Sequence, residues 1–373
     1  MRKSLLLAVN LAVSCALSLP VMADTFEPKQ CQENATLIIQ QDEASLTTLK
    51  YFGTSVTIQI WGVKPSLARQ VLCDALNVVQ EYHYQASNFS TYPGYVNIHS
   101  INLAPEQTHH IDPKLTELLA TSLQWHELSG GRFNIALSPV VDVWRQYRKR
   151  CQQGGRCELP PMEQLEQAAE FTRVSDIKLD TEANTISMRK GMSLDLGGIA
   201  KGWMVEKVYD SLKANGVGQF IINAGGNIRH YGKHPSGRAF ITGIEDPVCR
   251  KLEYATAECQ QVENQYHELV AGEDLTLVSS GNYLNYYEVD GKEYHHIIDP
   301  LTLMPKPEGI SVTVVMQDSH IIADVLSTSL FLMSPDQANA LLAQFPNAQA
   351  VWYDDAQGNK RESVDFNRFR LTL

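Results

Sequence analysis

The most informative segment of this chain is Ser193-Leu194-Asp195-Leu196-Gly197-Gly198-Ile199-Ala200-Lys201-Gly202. The pattern predicts a strand-to-helix junction. Paired glycines let the backbone approach an anion closely, and the first amides of a helix have no intrahelical acceptor. Lys201 adds a positive charge to the first helical turn. The stretch matches neither the Gly-x4-Gly-Lys-Ser/Thr nor the Gly-x-Gly-x-x-Gly fingerprint, so it indicates either a phosphate-binding corner or an ordinary start of a helix.

Strand and helix patterns surround this stretch without a visible linker. A strand is predicted where Val56, Ile58 and Ile60 alternate with polar residues. The other predicted strands cover 220–223, 240–244, 275–279, 310–316 and 351–353, and the predicted helices cover 67–82, 114–128, 199–215, 320–333 and 335–344. A second glycine corner, Asn223-Ala224-Gly225-Gly226-Asn227, either carries a ligand or turns the chain. Together these patterns predict one α+β domain over residues 24–373, with mixed, largely antiparallel sheets and packed helices.

Composition and charge exclude several classes of protein. The 373 residues are 44% hydrophobic and 20% charged, which is typical of a soluble globular protein rather than a fibre or a disordered tail. The formal net charge is −11. Because nucleic-acid surfaces need clustered Lys and Arg to release counterions, this balance argues against nucleic acid as a partner.

The first 23 residues have the layout of a secretory signal peptide. Met1-Arg2-Lys3 is basic, residues 4–20 are mainly apolar, and small or apolar residues precede Asp24. The run is too short and wrongly flanked for a stable membrane span, and a buried N-terminal helix is the alternative. A lipid anchor at Cys15 is disfavoured, because the preceding Leu11 lies one position too far away.

The cysteines support export. Removing residues 1–23 takes away one of the seven and leaves an even number, as disulfides require. Fifteen pairings of six cysteines are possible. Proximity along the chain favours 151–157 and 249–259, which leaves 31–73. Zinc binding is the rival interpretation, but neither close pair has the usual zinc-ligand spacing.

A histidine pair forms the second chemical cluster. Tyr294-His295-His296-Ile297-Ile298-Asp299-Pro300 comes after the polar stretch Ser279-Ser280-Gly281-Asn282-Tyr283. Such a pair serves either as hydrogen-bonding groups at the end of a strand or as a proton acceptor, because histidine titrates nearest neutral pH.

The third cluster is Asp324 and Thr328, four residues apart in a predicted apolar helix. That spacing puts a carboxylate and a hydroxyl on the same helix face. These oxygens are ligands that Mg²⁺ accepts together with phosphate, whereas the alternative is a capping or packing pair. A carboxylate in the middle of an apolar helix is costly unless it is paired, which favours a functional role.

The ordered set of motifs resembles the ApbE-type flavin transferases, the FAD:protein FMN transferases. The motifs that carry the resemblance are Asp-Leu-Gly-Gly-Ile-Ala-Lys-Gly, Asn-Ala-Gly-Gly-Asn-Ile, Ser-Gly-Asn-Tyr, His-His-Ile-Ile-Asp-Pro and Asp-x-x-x-Thr. Phe52-Gly53-Thr54, Ser90-Thr91-Tyr92, 131–144 and 243–247 fit the same scheme, so the resemblance covers about residues 50–335. Each motif alone is weak, but their order is specific.

The resemblance implies a reaction and a location. Members of the family use Mg²⁺ to split FAD and attach FMN through a phosphoester to a Thr or Ser of a target flavoprotein, with release of AMP. They are exported, often to the periplasm and sometimes tied to the inner membrane by a lipid. FAD and the target flavoprotein are therefore the expected partners.

The resemblance also implies roles for individual residues, carried over by motif position. Asp324, Thr328 and the backbone carbonyl of Gly198 are expected to hold Mg²⁺, with Asp324 counted among the catalytic residues. His296 is expected to act as base or orienting group on the acceptor hydroxyl. The residues expected to bind FAD are Phe52, Tyr92, Arg132, Phe133, Asn134, Asp195, Lys201 and Ile297.

Several positions depart from the family pattern. Phe52 stands where Met is usual, Asn134 where Asp is usual, and Leu303 where Gly is common. Residues 93–97 replace Asp-Pro-x-Ser-Glu. These departures leave open a relative that binds flavin without transfer, or that only hydrolyses FAD to FMN and AMP. A ligand-binding or interaction protein unrelated to flavin is the remaining alternative.

Overall fold

The computed structural model describes residues 28–261, 264–317 and 322–371, so the predicted signal peptide and Cys15 lie outside the described residues. The helices are α1 Pro28–Asn34, α2 Pro65–Ala86, α3 Ile98–Leu103, α4 Pro113–Leu128, α5 Ser138–Gln152, α6 Met162–Ala169, α7 Ala200–Ala214, α8 Pro247–Lys251, α9 Ile322–Leu332 and α10 Pro335–Leu342. The strands are β1 Thr36–Ile39, β2 Glu43–Thr48, β3 Val56–Trp61, β4 His109–His110, β5 Ile177–Asp180, β6 Thr185–Met188, β7 Phe220–Ala224, β8 Asn227–Tyr231, β9 Phe240–Glu245, β10 Tyr266–Gly272, β11 Asp274–Gly281, β12 Tyr286–Val289, β13 Lys292–His295, β14 Ser311–Gln317, β15 Ala348–Tyr353 and β16 Lys360–Glu362.

A nine-stranded antiparallel sheet organises the fold. Its order is β1-β2-β3-β7-β8-β11-β14-β15-β16, and smaller antiparallel sheets pair β9 with β10, β12 with β13, and β6 with β4 and β5. The predicted α+β class with largely antiparallel sheets is confirmed. The predicted strands and helices are present with slightly different ends, although the first residues of the predicted helix 320–333 lie outside the described residues.

The central strands are buried on both faces, which explains their unbroken apolar runs. In β14 and β15 nearly every residue is buried. Val314 faces the large core that includes α2, α7 and α9, whereas its neighbour Val315 faces a second core with β9, β10 and the C-terminal segment. The predicted alternation in β3 is confirmed, since Val56, Ile58 and Ile60 are fully buried.

A buried ionic cluster attaches α7 to the sheet. Arg229 of β8 lies between Glu206 of α7 and Asp274 of β11, with 3.2 Å between its Nε and Glu206 Oε1. Thr276 donates a hydrogen bond to the same Glu206 oxygen at 3.2 Å. Because a buried charge without a partner is costly, this cluster fixes how α7 lies on the sheet.

Three disulfides join Cys31 to Cys73, Cys151 to Cys157 and Cys249 to Cys259, so the pairing predicted from proximity is confirmed. The first ties α1 to α2, and the second closes a loop at the end of α5. With these sulfurs bonded to each other, the described cysteines are not available as zinc ligands. Among the described helices, none is both long enough and apolar enough to cross a membrane.

Removing the Cys31–Cys73 bond should lower stability more than removing the Cys151–Cys157 bond. The sequence separations are 42 and 6 residues, and the loop-entropy model assigns about 4 and about 2 kcal/mol to loops of those lengths. In denaturant titrations, we expect the Cys31→Ala/Cys73→Ala variant to lose more free energy of unfolding than the Cys151→Ala/Cys157→Ala variant. The difference should vanish in reducing buffer, and equal losses under oxidising conditions would contradict the loop argument.

Candidate active site

The three predicted clusters meet on one cavity of about 1200 Å³. Its walls come from the main sheet, α5, the paired strands β9 and β10, and the segment after β13. The predicted site residues that line it are Arg132, Phe133, Asn134, Asp195, Gly198, Lys201, His296, Ile297, Asp324 and Thr328. Residues that are far apart in sequence therefore share one concave cavity, as a binding site requires.

Two predicted residues, Phe52 and Tyr92, do not line the cavity. His83 joins them, because its Nδ1 accepts a hydrogen bond from the Phe52 amide at 3.2 Å while Tyr92 Oη lies 3.0 Å from its Nε2. The Tyr92 ring also stacks on Tyr84 with centroids 3.9 Å apart. Phe52 lies in the turn before Thr54 with φ +56°, and Thr54 does line the cavity. Their contact with FAD stays a prediction.

The first glycine corner is held without a strand, so the predicted strand-to-helix junction is wrong. The strand before it, β6, ends at Met188, and a side chain takes over the pairing that a neighbouring strand would supply. The Leu194 amide donates to Asn102 Oδ1 at 2.7 Å, and the Asn102 amide group donates to the Leu194 carbonyl at 2.9 Å. The Asp195 amide donates to the Ile135 carbonyl at 2.9 Å. The corner is thereby fixed against α3 and the segment before α5.

Asp195 shapes the corner through its carboxylate. One oxygen accepts the Gly197 amide at 2.8 Å, and the other accepts Arg145 Nη2 at 3.1 Å. Gly198 packs closely on Phe133, because a Cβ there would lie 3.2 Å from the ring and would require the ring to shift by a few tenths of an ångström. Lys201 Nζ folds back to the Gly197 carbonyl at 3.3 Å and remains half-buried in the cavity wall. The corner thus presents backbone and one flexible cation to the cavity.

Asp324 contacts the start of α7 directly. It is buried, and its Oδ2 accepts the Gly202 amide at 3.0 Å. A carboxylate at a helix N-terminus interacts favourably with the helix dipole and with an otherwise unpaired amide. The described part of α9 begins at Ile322, and Asp324 lies near that end of it, while the preceding residues of the predicted helix lie outside the described residues. The expected cost of burying the charge is offset by this contact with α7.

The oxygens around Asp324 are of the chemical kind that Mg²⁺ binds. Within the described residues, its second carboxylate oxygen accepts no hydrogen bond. Thr328 Oγ1 donates to the Asp324 carbonyl at 3.2 Å and lies 3.2 Å from Ser280 Oγ. The described residues contain no group of three or more His, Cys, Asp or Glu that could hold a metal. One carboxylate with neutral oxygens is nonetheless what Mg²⁺ accepts when a phosphate supplies further ligands.

The two histidines of the pair have different environments. His295 is buried at the end of β13, where its Nε2 donates to the Lys306 carbonyl at 2.7 Å and its Nδ1 accepts the Ile297 amide at 3.2 Å. His296 is exposed to the cavity. The surrounding protein and the nearby charges of His295, Arg148 and Lys201 lower the pKa of His296 to about 4. Its imidazole is therefore neutral at pH 7.

An ion pair closes the wall beside the histidines. Arg132 Nη1 donates to Asp299 Oδ2 at 2.6 Å, and both side chains are largely buried. The other Asp299 oxygen accepts the Leu301 amide at 3.0 Å. Leu303 has φ +60°, a backbone conformation that glycine adopts most readily, and its amide donates to the Asp299 carbonyl. The Arg132 guanidinium is therefore already paired within the protein, and any contact it makes with FAD is in addition to this ion pair.

The second glycine corner is a hairpin turn that also lines the cavity. Ala224 pairs with Asn227 across β7 and β8, and Gly225 and Gly226 both have positive φ. A Cβ at Gly225 would lie 2.2 Å from Thr54 Oγ1. The corner therefore turns the chain, and because its glycines also line the cavity, contact with a ligand stays a prediction.

Sequence reasoning missed α5 and the two arginines it directs into the cavity. Arg145 and Arg148 both line it, as does Trp144. A signal was available, because Pro139 suits the first turn of a helix and Val140, Trp144 and Tyr147 recur at helical spacing. The five charged or amide side chains around Tyr147 in residues 145–150 conceal that pattern.

The sequence model described as the ApbE family matches residues 52–352. This chain belongs to the ApbE family. A relative from Treponema pallidum, named FAD:protein FMN transferase, is 30% identical over 256 residues, or 65% of this chain and 66% of the relative. A relative of the same name from Rhodobacter capsulatus is 27% identical over 80% of this chain and 53% of its own length. The chain thus spans slightly less than two thirds of the relative with the higher identity.

Solved ApbE structures share the fold. The ApbE protein from Thermotoga maritima superposes with a TM-score of 0.72 at 22% identity, covering 91% of this chain and all of that one. The flavin transferase ApbE from Vibrio cholerae gives a TM-score of 0.70 at 22% identity, covering 90% of this chain and 99% of that one. The expected ApbE fold is confirmed.

The titration of His296 tests the electrostatics of this ApbE cavity. Because desolvation and neighbouring cations disfavour the imidazolium, we expect a midpoint near pH 4 instead of the ordinary 6.5. NMR of histidine-labelled protein would measure it, and His296→Gln would assign the signal by removing it. A midpoint near 6.5 would show that the cavity does not exclude the charged form.

Proposed function

We propose that this chain is a Mg²⁺-dependent FAD:protein FMN transferase, which attaches FMN to a Thr or Ser of a target flavoprotein and releases AMP. The observation that carries the proposal is the meeting of the Asp195–Lys201 corner, His296 and the Asp324–Thr328 pair on one cavity. The names of the relatives from Treponema pallidum and Rhodobacter capsulatus support it.

The size and lining of the cavity suit a dinucleotide. Its volume of about 1200 Å³ exceeds that of most pockets for single small molecules. Its wall contains both apolar side chains, among them Phe133, Val141 and Ile297, and polar groups, as ring systems joined by phosphates require. We assign Phe133, Asn134 and Ile297 to contacts with the flavin nucleotide, and Lys201 to its phosphates.

Asp324, Thr328 and the Gly198 carbonyl are the groups that would hold Mg²⁺. Their fit rests on the second Asp324 oxygen, which accepts no hydrogen bond from the described residues. When bound, Mg²⁺ neutralises charge on the phosphate oxygens. The half-buried Lys201 supports the same task from the glycine corner.

The reaction requires one bond to form and one to break. The acceptor hydroxyl oxygen bonds to the phosphorus of the FMN half, and the pyrophosphate P–O bond breaks with its electron pair leaving on AMP. The hydroxyl proton must go to a base. His296 is neutral at pH 7 and faces the cavity, so it can accept this proton or orient the hydroxyl.

The acceptor is a flavoprotein in the same compartment, which we propose to be the periplasm on the basis of the signal-like residues 1–23. The alternative activity is hydrolysis, in which water replaces the hydroxyl and the products are FMN and AMP. Asn134 is the reason to consider this alternative, because Asp is usual at its position. Its amide group donates to the Thr172 carbonyl, and its oxygen accepts a hydrogen bond from the Ala136 amide. It thereby organises its own loop.

A transfer assay distinguishes these activities. Purified protein is incubated with FAD, Mg²⁺ and a Thr-containing acceptor domain, and the acceptor is examined by denaturing gel fluorescence and intact mass. Transfer predicts an acceptor heavier by FMN less one water, together with AMP in equal amount. AMP without modified acceptor would favour hydrolysis, and failure to bind FAD would refute both.

The Asp324→Asn variant tests the metal assignment without removing the helix contact. An amide oxygen can still accept the Gly202 N–H, so we expect a melting temperature near that of the wild type, whereas Mg²⁺-dependent turnover should fall by roughly 100-fold or more. The matched control is Asp336→Asn, in the exposed first turn of α10. Full activity of Asp324→Asn across a Mg²⁺ titration would refute the assignment.

A further inference from the structure

Two arginines, Arg145 and Arg148, lie three residues apart on α5 and both line the cavity. Arg145 is compensated by the protein. It pairs with Asp142 on the same helix and with Asp195 of the glycine corner, and its guanidinium lies 5.3 Å from the centre of the Phe89 ring. Its charge is therefore used to hold the corner in place.

Arg148 has no comparable partner. In the described segments, its guanidinium makes no ion pair, hydrogen bond or ring contact. The side chain is half-buried, and burial together with the charge of Arg145 lowers its pKa. A cation that is partly removed from water without a counterion is costly, unless a ligand supplies the negative charge.

The surroundings of Arg148 show where that ligand would lie. Arg148, Lys201 and His296 all line this cavity, and the charges of Arg148 and Lys201 both lower the pKa of His296, so the two cations lie within electrostatic range of the same imidazole. Lys201 also has no carboxylate partner within the described residues and contacts only the Gly197 carbonyl. Two uncompensated cations beside a neutral imidazole favour a ligand with two negative charges.

We infer that Arg148 forms an anion subsite with Lys201 and binds the pyrophosphate of the dinucleotide substrate. This inference rests on the proposed function. The planar guanidinium suits phosphate oxygens because it donates two parallel hydrogen bonds, whereas Lys201 acts as a point charge. On cleavage of the P–O bond, the same guanidinium neutralises the charge that moves to the AMP phosphate. Arg148 therefore selects FAD over ligands without phosphate.

The test compares binding of FAD and riboflavin by the full chain, measured by quenching of flavin fluorescence without acceptor or Mg²⁺. We expect Arg148→Ala to weaken FAD binding by about 10- to 100-fold, because charge-assisted hydrogen bonds are lost, and to leave riboflavin binding unchanged. Arg148→Lys should restore part of the affinity. FAD affinity should also fall less steeply with salt in Arg148→Ala than in the wild type.

Arg150→Ala is the matched control, since this exposed arginine lies on the same helix and does not line the cavity. It should bind FAD as the wild type does. Equal FAD affinity in Arg148→Ala and wild type would overturn the inference, as would an equal loss of FAD and riboflavin binding. A wild-type chain that binds no FAD would instead overturn the proposed function, so the two failures are distinguishable.

Discussion

The hydrogen bond between the Gly202 amide and the Asp324 carboxylate connects the two sides of the cavity. Gly202 lies in the first turn of α7, which packs on α2 and the sheet. Asp324 lies near the start of the described part of α9, which packs on β11 and β14. The bond fixes the glycine corner relative to the Thr328 hydroxyl. It also occupies only one carboxylate oxygen, so the same residue can stabilise the fold and bind a ligand.

Local charge, rather than net charge, explains how an acidic chain can attract an anion. The formal charge of −11 would repel FAD at long range, but exposed charges are screened within about 10 Å at ordinary ionic strength. Around the cavity, positive charge predominates. Among the described residues Lys201 and Arg148 have no carboxylate partner, whereas Arg132 and Arg145 form ion pairs within the protein. The paired arginines position the walls, and the unpaired cations remain available to the substrate.

The sequence predicted the local features of this site and missed those that depend on distant contacts. The spacing of Asp324 and Thr328 and the paired glycines before Lys201 are local, and they predicted residues that line the cavity. The strand expected before the corner was wrong because Asn102, 92 residues away, supplies its hydrogen bonds. Periodicity cannot reveal such a contact.

The same limit applied to the histidines, whose roles the sequence left open. His295 and His296 are adjacent, yet one bonds backbone groups and the other faces the cavity, and only the packing of β13 distinguishes them. Helix α5 was missed for a related reason. A run of polar residues is also typical of a solvent-exposed segment, and the sequence does not show that Arg145 and Arg148 face the cavity.

Crystals grown with FAD and Mn²⁺, which replaces Mg²⁺ and scatters anomalously, would test the central claim most directly. The account predicts one anomalous peak within coordination distance of the free Asp324 oxygen, Thr328 Oγ1, the Gly198 carbonyl and the FAD phosphates. FAD bound in this cavity with the metal peak elsewhere, or with no peak at Asp324, would contradict it.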